Sequence, residues 1–347
     1  MKLYINTHTD PYFNLASEEY LLTHAEDDII MLWRNEASVI IGKNQNAFAE
    51  INFDFTNEHN IKVVRRLTGG GAVFHDLGNV NFTFISPSGG KLADGIREGG
   101  LDFAHFTAPI ISALRSLGID AKLSGRNDII AQTDDGDRKV SGNAQCVVDG
   151  VTLHHGTLLF SAEMSRLQGA LNVDPTKLKS KGIASVRSRV ANMHDLLADD
   201  MRGRISDAVE FMEYLAEWLS REFACVAESL SADAESAIQA LTDAKYSTDE
   251  WNLRRFGSFE RHCRRRFDFG SVEVSFSVKN GMISDIVIGG DFFGVCDADD
   301  LADALRGVEY SRAAIEKALL TFPVGDCISG ADSKNITDLL CEIDTIS

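Results

Sequence analysis

Positive charge is scarce in this sequence, and the scarcity argues against several classes of function. The chain of 347 residues carries 34 lysine and arginine residues against 52 aspartate and glutamate residues, a formal net charge of −18. Broad binding of nucleic acid or of an anionic membrane needs a positively charged face, which such a chain does not offer. We therefore expect any site for an anionic ligand to be a local basic spot in an acidic protein.

Long apolar runs and closely spaced cysteines are also missing. No run of about 18 apolar residues predicts a membrane-spanning helix, and the N-terminus lacks the basic-then-apolar pattern of a secretory signal. The six cysteines are scattered, without the close pairs of a zinc knuckle or a disulfide framework. These absences predict a reducing compartment, and we expect a cytoplasmic protein.

The most informative stretch is KVVRRLTGGGAVFHDLGNVNFTFI, residues 62–85. Its pattern predicts a strand, a tight loop and a second strand, with Arg65 and Arg66 just before the three glycines at 69–71. Exposed backbone N–H groups and nearby guanidinium groups suit a phosphate or a carboxylate. A glycine-rich hairpin without a ligand is the alternative. No helix follows directly, as a dinucleotide fingerprint requires, and the Lys-Ser/Thr of a Walker loop is missing.

Two further polar positions lie beside glycine turns. Asn127 and Asp128 stand between a glycine turn and an apolar strand, where such a pair usually serves turn chemistry. Asp128 could instead hold a magnesium ion together with ligand phosphates. Lys139 lies on an otherwise apolar strand, so it is either a solvated residue or a buried charge that needs an anionic partner. A ligand with a phosphate and a carboxylate would supply that partner.

His154 and His155 are adjacent on a predicted strand, Val151 to Phe160. Neighbouring residues of a strand point to opposite faces, so we expect one imidazole to line a pocket and the other to pack or to be solvated. The spacing typical of zinc sites is missing, which disfavours a metal role for the pair.

The chain is long enough for two domains. The spacing predicts helices over about 14–23, 103–117 and 206–223. From 226 to 248 the composition shifts to Ala, Ser, Asp and Glu, which predicts a linker or a solvated helix and domains of 1–245 and 246–347. In the second domain, Asn280-Gly281 predicts a hairpin, and helices are expected over about 298–306 and 311–320.

The segment 165–198 is basic for this acidic chain, with Lys177, Lys179, Lys181, Arg187 and Arg189. One interpretation is a loop that closes over a bound anionic intermediate. The alternative is a solvated connection without a ligand.

Taken together, these motifs resemble the lipoate–protein ligase A family along essentially the whole chain. The resemblance rests on DPYFNLASEE, LWRN, VIIGKNQN, RRLTGGGAVFHDLGN, GRNDI, DRKVSGNAQ, HHGTLLF and KGIASVRSRV, and on EWN and FDFG further on. It implies an α+β fold, with a large catalytic domain of biotin/lipoate-ligase type on a mixed, largely antiparallel sheet with flanking helices. A smaller α+β C-terminal accessory domain would follow.

The resemblance also implies a reaction and its site. Lipoate would react with ATP to give lipoyl-AMP and pyrophosphate, and the lipoyl group would pass to a protein lysine, with Lys139 as the catalytic residue. The implied nucleotide contacts are Arg66, Gly71, Ala72, Val73, Phe74, Asn127, Asp128 and Lys139, with Mg²⁺ at Asp128. The implied lipoate contacts are Arg66, Thr68, Gly71, His75, Lys139, His155, Gly156 and Thr157. Apolar residues expected to bury the dithiolane tail are Val73, Phe74 and Leu158. Thr68 stands where a close relative has serine, so the hydroxyl is kept.

The implied partners are lipoate, apo lipoyl domains of 2-oxoacid dehydrogenases and the glycine cleavage H protein, without nucleic acid or membrane. We expect a monomer. The nearest alternative is an ATP-independent lipoyl or octanoyl transferase that uses a cysteine thioester, for which Cys146 is the cysteine near the site. A buried and inert Cys146 is the commoner role. A non-catalytic protein that binds lipoate or nucleotide is the third hypothesis.

Overall fold

A computed structural model describes residues 1–94, 96, 100–163, 169–172, 190–253 and 258–341. Most of the basic segment 165–198 lies outside the described residues, so its role as a closing loop stays a prediction. Within the described ranges, no helix combines the length and the apolar character needed to cross a lipid bilayer.

Strands and helices alternate along the N-terminal two thirds of the chain. The strands and helices from residue 261 onward form a separate group. The strands are β1 (Lys2–Ile5), β2 (Ile29–Trp33), β3 (Ser38–Ile41), β4 (Lys62–Arg65), β5 (Val73–His75), β6 (Asn79–Ser86), β7 (Ala121–Ser124), β8 (Asp128–Thr133), β9 (Gly136–Val148), β10 (Val151–Leu159), β11 (Val226–Glu228), β12 (Arg261–Phe267), β13 (Gly270–Lys279) and β14 (Met282–Gly290). The helices are α1 (Pro11–Thr23), α2 (Ala47–Glu50), α3 (Phe53–Glu58), α4 (Phe103–Ser116), α5 (Asp199–Arg202), α6 (Ala208–Phe223), α7 (Ala232–Leu241), α8 (Asp249–Leu253), α9 (Ala298–Leu305), α10 (Arg312–Leu319), α11 (Val324–Cys327) and α12 (Ser333–Cys341).

The largest sheet has eight strands in the order β11-β1-β2-β6-β10-β9-β8-β7. β1 runs parallel to both of its neighbours, and every pairing from β2 through β6, β10, β9 and β8 to β7 is antiparallel. The expected mixed, largely antiparallel sheet is therefore confirmed. Antiparallel register places residues of neighbouring strands directly opposite one another. This register determines which side chains lie next to each other across the sheet.

The glycine stretch belongs to a second, three-stranded sheet in the order β4-β3-β5. β3 pairs in parallel with β4 and in antiparallel fashion with β5. The loop between β4 and β5 therefore crosses over a strand that lies between them. The alternative of a simple glycine-rich hairpin is wrong.

Apolar packing covers both faces of the large sheet. On one face Phe82 and Phe84 pack with residues of α4 and α6, including Phe106 and Leu215. On the other face the contacts come from α1 and include Leu22. The helix predicted over 206–223 is confirmed as α6, and its regularly spaced apolar side chains are the buried ones.

Residues 226–253 contain a solvated helix, as one of the two expectations has it, because Ala234 and Ile238 are the buried residues of α7. The other expectation, a free linker, is wrong, because the segment packs against the N-terminal domain. β11 extends the large sheet beside β1, and Tyr246 is fully buried. Its hydroxyl donates to Glu19 Oε2 of α1 at 2.6 Å. The polar composition fits an exposed helix, and hydrogen bonds such as this one help to hold the segment in place. The division of the chain near residue 246 stays a prediction.

The C-terminal group of elements has its own sheet, β12-β13-β14, and its own apolar core, which includes Val274, Phe276 and Leu301. Asn280 and Gly281 join β13 to β14 with φ of 53° and 77°. Two successive positive φ angles are the requirement of a two-residue type I′ turn, so the hairpin prediction is confirmed.

Cys296 and Cys327 form a disulfide across a separation of 31 residues. The scattered cysteine spacing argues against a disulfide framework, and it does not predict this pair. Close cysteine spacing cannot predict a pair this far apart in the sequence, because the fold brings the two thiols together.

Replacing Asn252 by alanine should lower the free energy of unfolding by about 1–3 kcal/mol, the cost of leaving buried polar groups unpaired. Asn252 Oδ1 accepts from the N–H of Arg65 at 2.9 Å, and its Nδ2 donates to the carbonyl of Tyr246 at 2.6 Å. Urea denaturation measures the loss. Glu250→Ala on the same short helix is the control, since Glu250 is exposed. Equal stability of the two variants would contradict the account.

Candidate functional site

A cavity of about 140 Å³ lies between the large sheet, the glycine loop and the C-terminal domain. Part of its lining is a single row across four strands. Asn81 on β6 stands directly opposite Thr157 on β10 and opposite Trp33 on β2. On the far side of β10, the N–H of Gly142 on β9 donates to Thr157 Oγ1 at 3.1 Å. The cavity therefore follows the sheet from β9 to β2.

Most of the predicted site residues are brought together here. Those that line the cavity are Arg66, Gly71, Ala72, Val73, His75, Asn127, Lys139, His155, Gly156 and Thr157. They come from loops and strands between residues 66 and 157, which only the sheet register brings together. Their individual roles stay predictions.

Lys139 lies at the β9 end of the row. Its Nζ is 2.7 Å from Asp128 Oδ1, and the two side chains are 34% and 38% exposed. An ion pair this exposed contributes little free energy, so its partners can be exchanged for a ligand at small cost. A Cβ on Gly142 would stand 2.9 Å from Nζ. Glycine at 142 therefore leaves the space that the amine occupies.

Arg66 turns into the protein and holds the glycine loop. Its Nη2 donates to the carbonyls of Gly69 and Gly71 at 2.6 and 2.9 Å, and its Nη1 to that of Ile40 at 3.1 Å. Burial lowers the pKa of Arg66 to about 10, so the guanidinium stays charged at neutral pH. Arg66 thus stabilises the loop and gives the cavity a positive charge, with most of its donors already used.

The glycine loop is less bare than the sequence predicts. The N–H of Gly70 donates to the carbonyl of Phe292 in the C-terminal domain at 3.1 Å. Gly70 has a φ of +90°, which favours glycine. Gly71, in contrast, borders open space. The part of the loop available to a ligand therefore begins at Gly71.

A buried polar chain links the loop to α1. Arg66 Nε donates to Thr68 Oγ1 at 2.9 Å, and the same hydroxyl is hydrogen-bonded to His155 Nε2 at 2.8 Å. On the other side of the ring, His155 Nδ1 donates to Glu18 Oε1 at 2.8 Å, because a carboxylate can only accept. The carboxylate of Glu18 also accepts from Thr83 Oγ1 at 2.6 Å. Sequence reasoning missed Glu18, because a glutamate in a helix normally signals a solvated face.

The two adjacent histidines separate as predicted. His155 lines the cavity, whereas His154 is fully buried and its ring stacks on Phe106 at 5.1 Å between centroids. Burial holds the pKa of His154 well below its usual range. The alternation of a strand therefore decided which histidine belongs to the site.

Four predicted residues do not line the cavity. Thr68 contacts the lining residue His155, and Asp128 contacts the lining residue Lys139. Phe74 packs on the opposite side of β5, with Val39, and Leu158 is fully buried in the core of the large sheet. The expectation that Phe74 and Leu158 bury an apolar tail is therefore wrong. Each one follows a lining residue on its strand and so points to the other face.

Other apolar side chains line the cavity in their place: Leu15, Trp33, Ile40, Ala144 and Phe293. Trp33 belongs to the LWRN motif. Phe293 comes from the C-terminal domain. Its ring is tilted by 54° against that of Phe103, with 5.1 Å between the centroids, and the Arg126 guanidinium lies 4.3 Å from its centre. No local pattern in the sequence predicts this contact between the domains.

Protein side chains alone do not form a metal site in the described part of the chain, and the cysteine near the site is buried. Across the described ranges, no group of three or more His, Cys, Asp or Glu side chains is placed to hold a metal ion. Asp128 offers one carboxylate, so Mg²⁺ there stays a prediction that needs oxygens from the ligand. Cys146 packs with the core on the α1 side, and burial raises the pKa of its thiol to about 12. Such a thiol is protonated at neutral pH and is a poor nucleophile.

Comparison with known proteins identifies the family. The model of the lipoyl protein ligase A/B catalytic domain matches residues 10–219, and that of the bacterial lipoate protein ligase C-terminus matches residues 258–340. This chain belongs to the lipoate–protein ligase family. Over 337 residues it is 39% identical to lipoate–protein ligase 1 of Staphylococcus aureus strain Mu50, which covers 96% of this chain and 98% of that protein.

Solved structures of the family share the fold. The LipL1 protein of P. falciparum in complex with lipoate aligns with a TM-score of 0.73 at 26% identity, over 99% of this chain and 98% of that one. A lipoate–protein ligase A bound with ATP aligns with a TM-score of 0.56 at 27% identity, over 73% of this chain and 99% of that one. The resemblance stated from the motifs is confirmed.

Thr68→Val should lower the free energy of unfolding by about 1–3 kcal/mol, because Arg66 Nε and His155 Nε2 would lose a buried partner. Thr68→Ser keeps the hydroxyl and should stay within about 1 kcal/mol of the original protein, the scale of one buried methyl group. Chemical denaturation of both variants checks this. If serine and valine cost the same, the hydroxyl is not what joins the loop to α1.

Proposed function

We propose that this ligase activates lipoate with ATP, giving lipoyl-AMP and pyrophosphate, and then transfers the lipoyl group to a lysine of an acceptor protein. The relatives support the substrates, since one solved structure contains lipoate and another contains ATP. The observation that carries the proposal is the position of the Lys139 amine at one end of a cavity whose other end is lined by apolar side chains.

The length of the cavity supports an eight-carbon acid. Lys139 and Gly142 are on β9, and Asn81 is on β6, two strands away in the sheet order. Two strand spacings make about 10 Å, similar to the length of an extended eight-carbon chain. The hydrogen bond from Lys139 Nζ to the carboxylate adds about 3 Å to this length. The end of the tail would therefore lie just past Asn81, next to Trp33.

The first step joins two anions. A lipoate carboxylate oxygen attacks the α-phosphorus of ATP, the bond from this phosphorus to the bridging oxygen breaks, and pyrophosphate leaves with the electron pair. Lys139 would bind both the carboxylate and the α-phosphate, reducing their repulsion and stabilising the charge that develops on phosphorus. Open backbone at Gly71 lets the phosphate approach without a side chain in the way.

The second step needs no protein nucleophile. The neutral amine of an acceptor lysine attacks the carbonyl carbon of lipoyl-AMP, AMP leaves, and the amine loses a proton as the amide forms. We propose lipoyl domains of 2-oxoacid dehydrogenases and the glycine cleavage H protein as acceptors, as the family resemblance implies. Magnesium would neutralise charge on the leaving pyrophosphate, with the Asp128 carboxylate as one of its oxygen ligands.

An ATP-independent transferase through a cysteine thioester is the second candidate. It requires a reactive thiol at the site, and Cys146 is the residue that the sequence offers. Its burial and its raised thiol pKa of about 12 disfavour this mechanism. The ligase is therefore the better account.

Lys139→Ala should reduce lipoate-dependent pyrophosphate release at least about 100-fold, the scale of removing one group that stabilises developing charge. Lys122→Ala is the matched control, since Lys122 pairs with Asp137 on the sheet at 3.3 Å and lies outside the cavity. Near-normal turnover of the Lys139 variant would remove this residue from the mechanism.

Cys146→Ser should keep ATP-dependent lipoylation within about threefold, because no covalent step passes through this thiol. Mass spectrometry of an apo lipoyl domain incubated with enzyme, lipoate, ATP and Mg²⁺ measures the product, and each component is omitted in turn. Lipoylation without ATP, together with an acyl group trapped on Cys146, would favour the transferase instead.

A further inference from the structure

The end of the cavity farthest from Lys139 carries buried polar atoms among its apolar residues. His75 on β5 lines the cavity and is 3% exposed. Its ring meets that of Trp33 edge-on, with 6.1 Å between the centroids. Trp33 is the β2 end of the row, three strands from β9, or about 14 Å. His75 therefore lies where the tail of an acid held at Lys139 would end.

A directed relay of hydrogen bonds sets the tautomer of His75. The backbone N–H of His8 can only donate, and it donates to Asn6 Oδ1 at 3.0 Å. Asn6 Nδ2 then donates to Asn14 Oδ1 at 3.0 Å, and Asn14 Nδ2 donates to Asn35 Oδ1 at 2.8 Å. Asn14 Nδ2 also lies 2.9 Å from the backbone carbonyls of His8 and Arg34, which fixes the same amide orientation.

The relay ends on the imidazole. Asn35 Nδ2 donates to His75 Nδ1 at 3.1 Å, so Nδ1 accepts. Burial, with the nearby charge of Arg66, lowers the pKa of His75 to about 3, so the ring is neutral. A neutral ring whose Nδ1 accepts carries its hydrogen on Nε2. That Nε2–H is buried and has no partner within the described parts of the chain.

Asn81 presents a second buried donor in the same region. Its Oδ1 accepts from Asn79 Nδ2 at 2.8 Å, and its Nδ2 is buried without a partner among the described residues. Asn81 stands opposite Trp33 in the register, so it neighbours the His75 end of the cavity. A buried donor without a partner is costly, and a ligand that offers an acceptor removes the cost.

We propose that the His75 Nε2–H, assisted by Asn81 Nδ2, selects an acid whose tail carries weak acceptors, such as the two sulfurs of a dithiolane, over an acid with a plain hydrocarbon tail. This inference rests on the proposed function and adds the group that sets its tail specificity. A site built to hydrogen-bond its substrate rejects an analogue that lacks the acceptor, because the analogue leaves the buried donors unpaired. A sulfur atom accepts only weakly, so the discrimination is moderate.

Three acids separate tail chemistry from tail shape in the unaltered enzyme. They are lipoate, octanoate and 5-cyclopentylpentanoate, which keeps a five-membered ring without sulfur. The measurement is kcat/KM for ATP-dependent pyrophosphate release with each acid. We expect roughly a tenfold preference for lipoate over both hydrocarbon acids. Equal values for lipoate and 5-cyclopentylpentanoate would overturn the proposal while leaving the ligase function intact.

Two histidine variants test whether His75 causes the preference for lipoate. His75→Phe keeps an aromatic ring but removes the donor, so the lipoate preference should fall to about twofold or less, mainly through lost lipoate efficiency. His154→Phe is the matched control, because His154 is also buried with both ring nitrogens unpartnered among the described residues, but it does not line the cavity. The preference of the His154→Phe variant for lipoate should equal that of the unaltered enzyme.

The remaining outcomes are also decisive. An unchanged preference in His75→Phe, or an equal loss in His154→Phe, would overturn the assignment to His75. If none of the three acids supports pyrophosphate release by the unaltered enzyme, the proposed function fails and the selection mechanism falls with it.

Discussion

The position of one amine organises the site. Lys139 Nζ lies over the backbone of Gly142, where any larger residue would displace it, and it pairs with the half-exposed carboxylate of Asp128. From this point a row of residues crosses four strands, so the amine and the apolar end of the cavity are held apart by the spacing of the sheet. An acid of the matching length can then be bound at both ends at once. The proposed reaction requires the same geometry, because in it a fixed cation stands between two anions.

Contacts behind the cavity lining stabilise this arrangement. Arg66 holds the glycine loop through the carbonyls of Gly69 and Gly71, and Thr68 joins that loop to His155 and Glu18. The C-terminal domain adds the Phe292 carbonyl and the Phe293 ring. The cavity is therefore completed by two domains, which gives the accessory domain a direct role in shaping it.

Local patterns predicted much of this structure, and long-range contacts account for what they missed. The alternation of side chains along a strand correctly predicted that His154 and His155 face opposite sides, and Asn280-Gly281 correctly predicted a hairpin. Both predictions succeed because they depend on neighbouring residues alone. Arg65 and Arg66 look alike in the sequence, yet Arg65 donates to the carbonyls of Gly42, Lys43 and Gln45 and is structural. Phe74 and Leu158 were mispredicted because they are apolar, as a tail-binding residue should be, but point to the face of the strand that is turned away from the cavity. Phe293, and the pairing of Cys296 with Cys327, depend on tertiary contacts that no spacing rule contains.

The most direct test of the central claim is a crystal structure with a non-hydrolysable sulfamoyl analogue of lipoyl-AMP. The account predicts that Lys139 Nζ leaves Asp128 and lies within hydrogen-bond distance of both the sulfamoyl group and the acyl oxygen, with the dithiolane beside Trp33. A bound analogue that leaves the Lys139–Asp128 pair intact, with its acyl chain outside the row across β9, β10, β6 and β2, would contradict it.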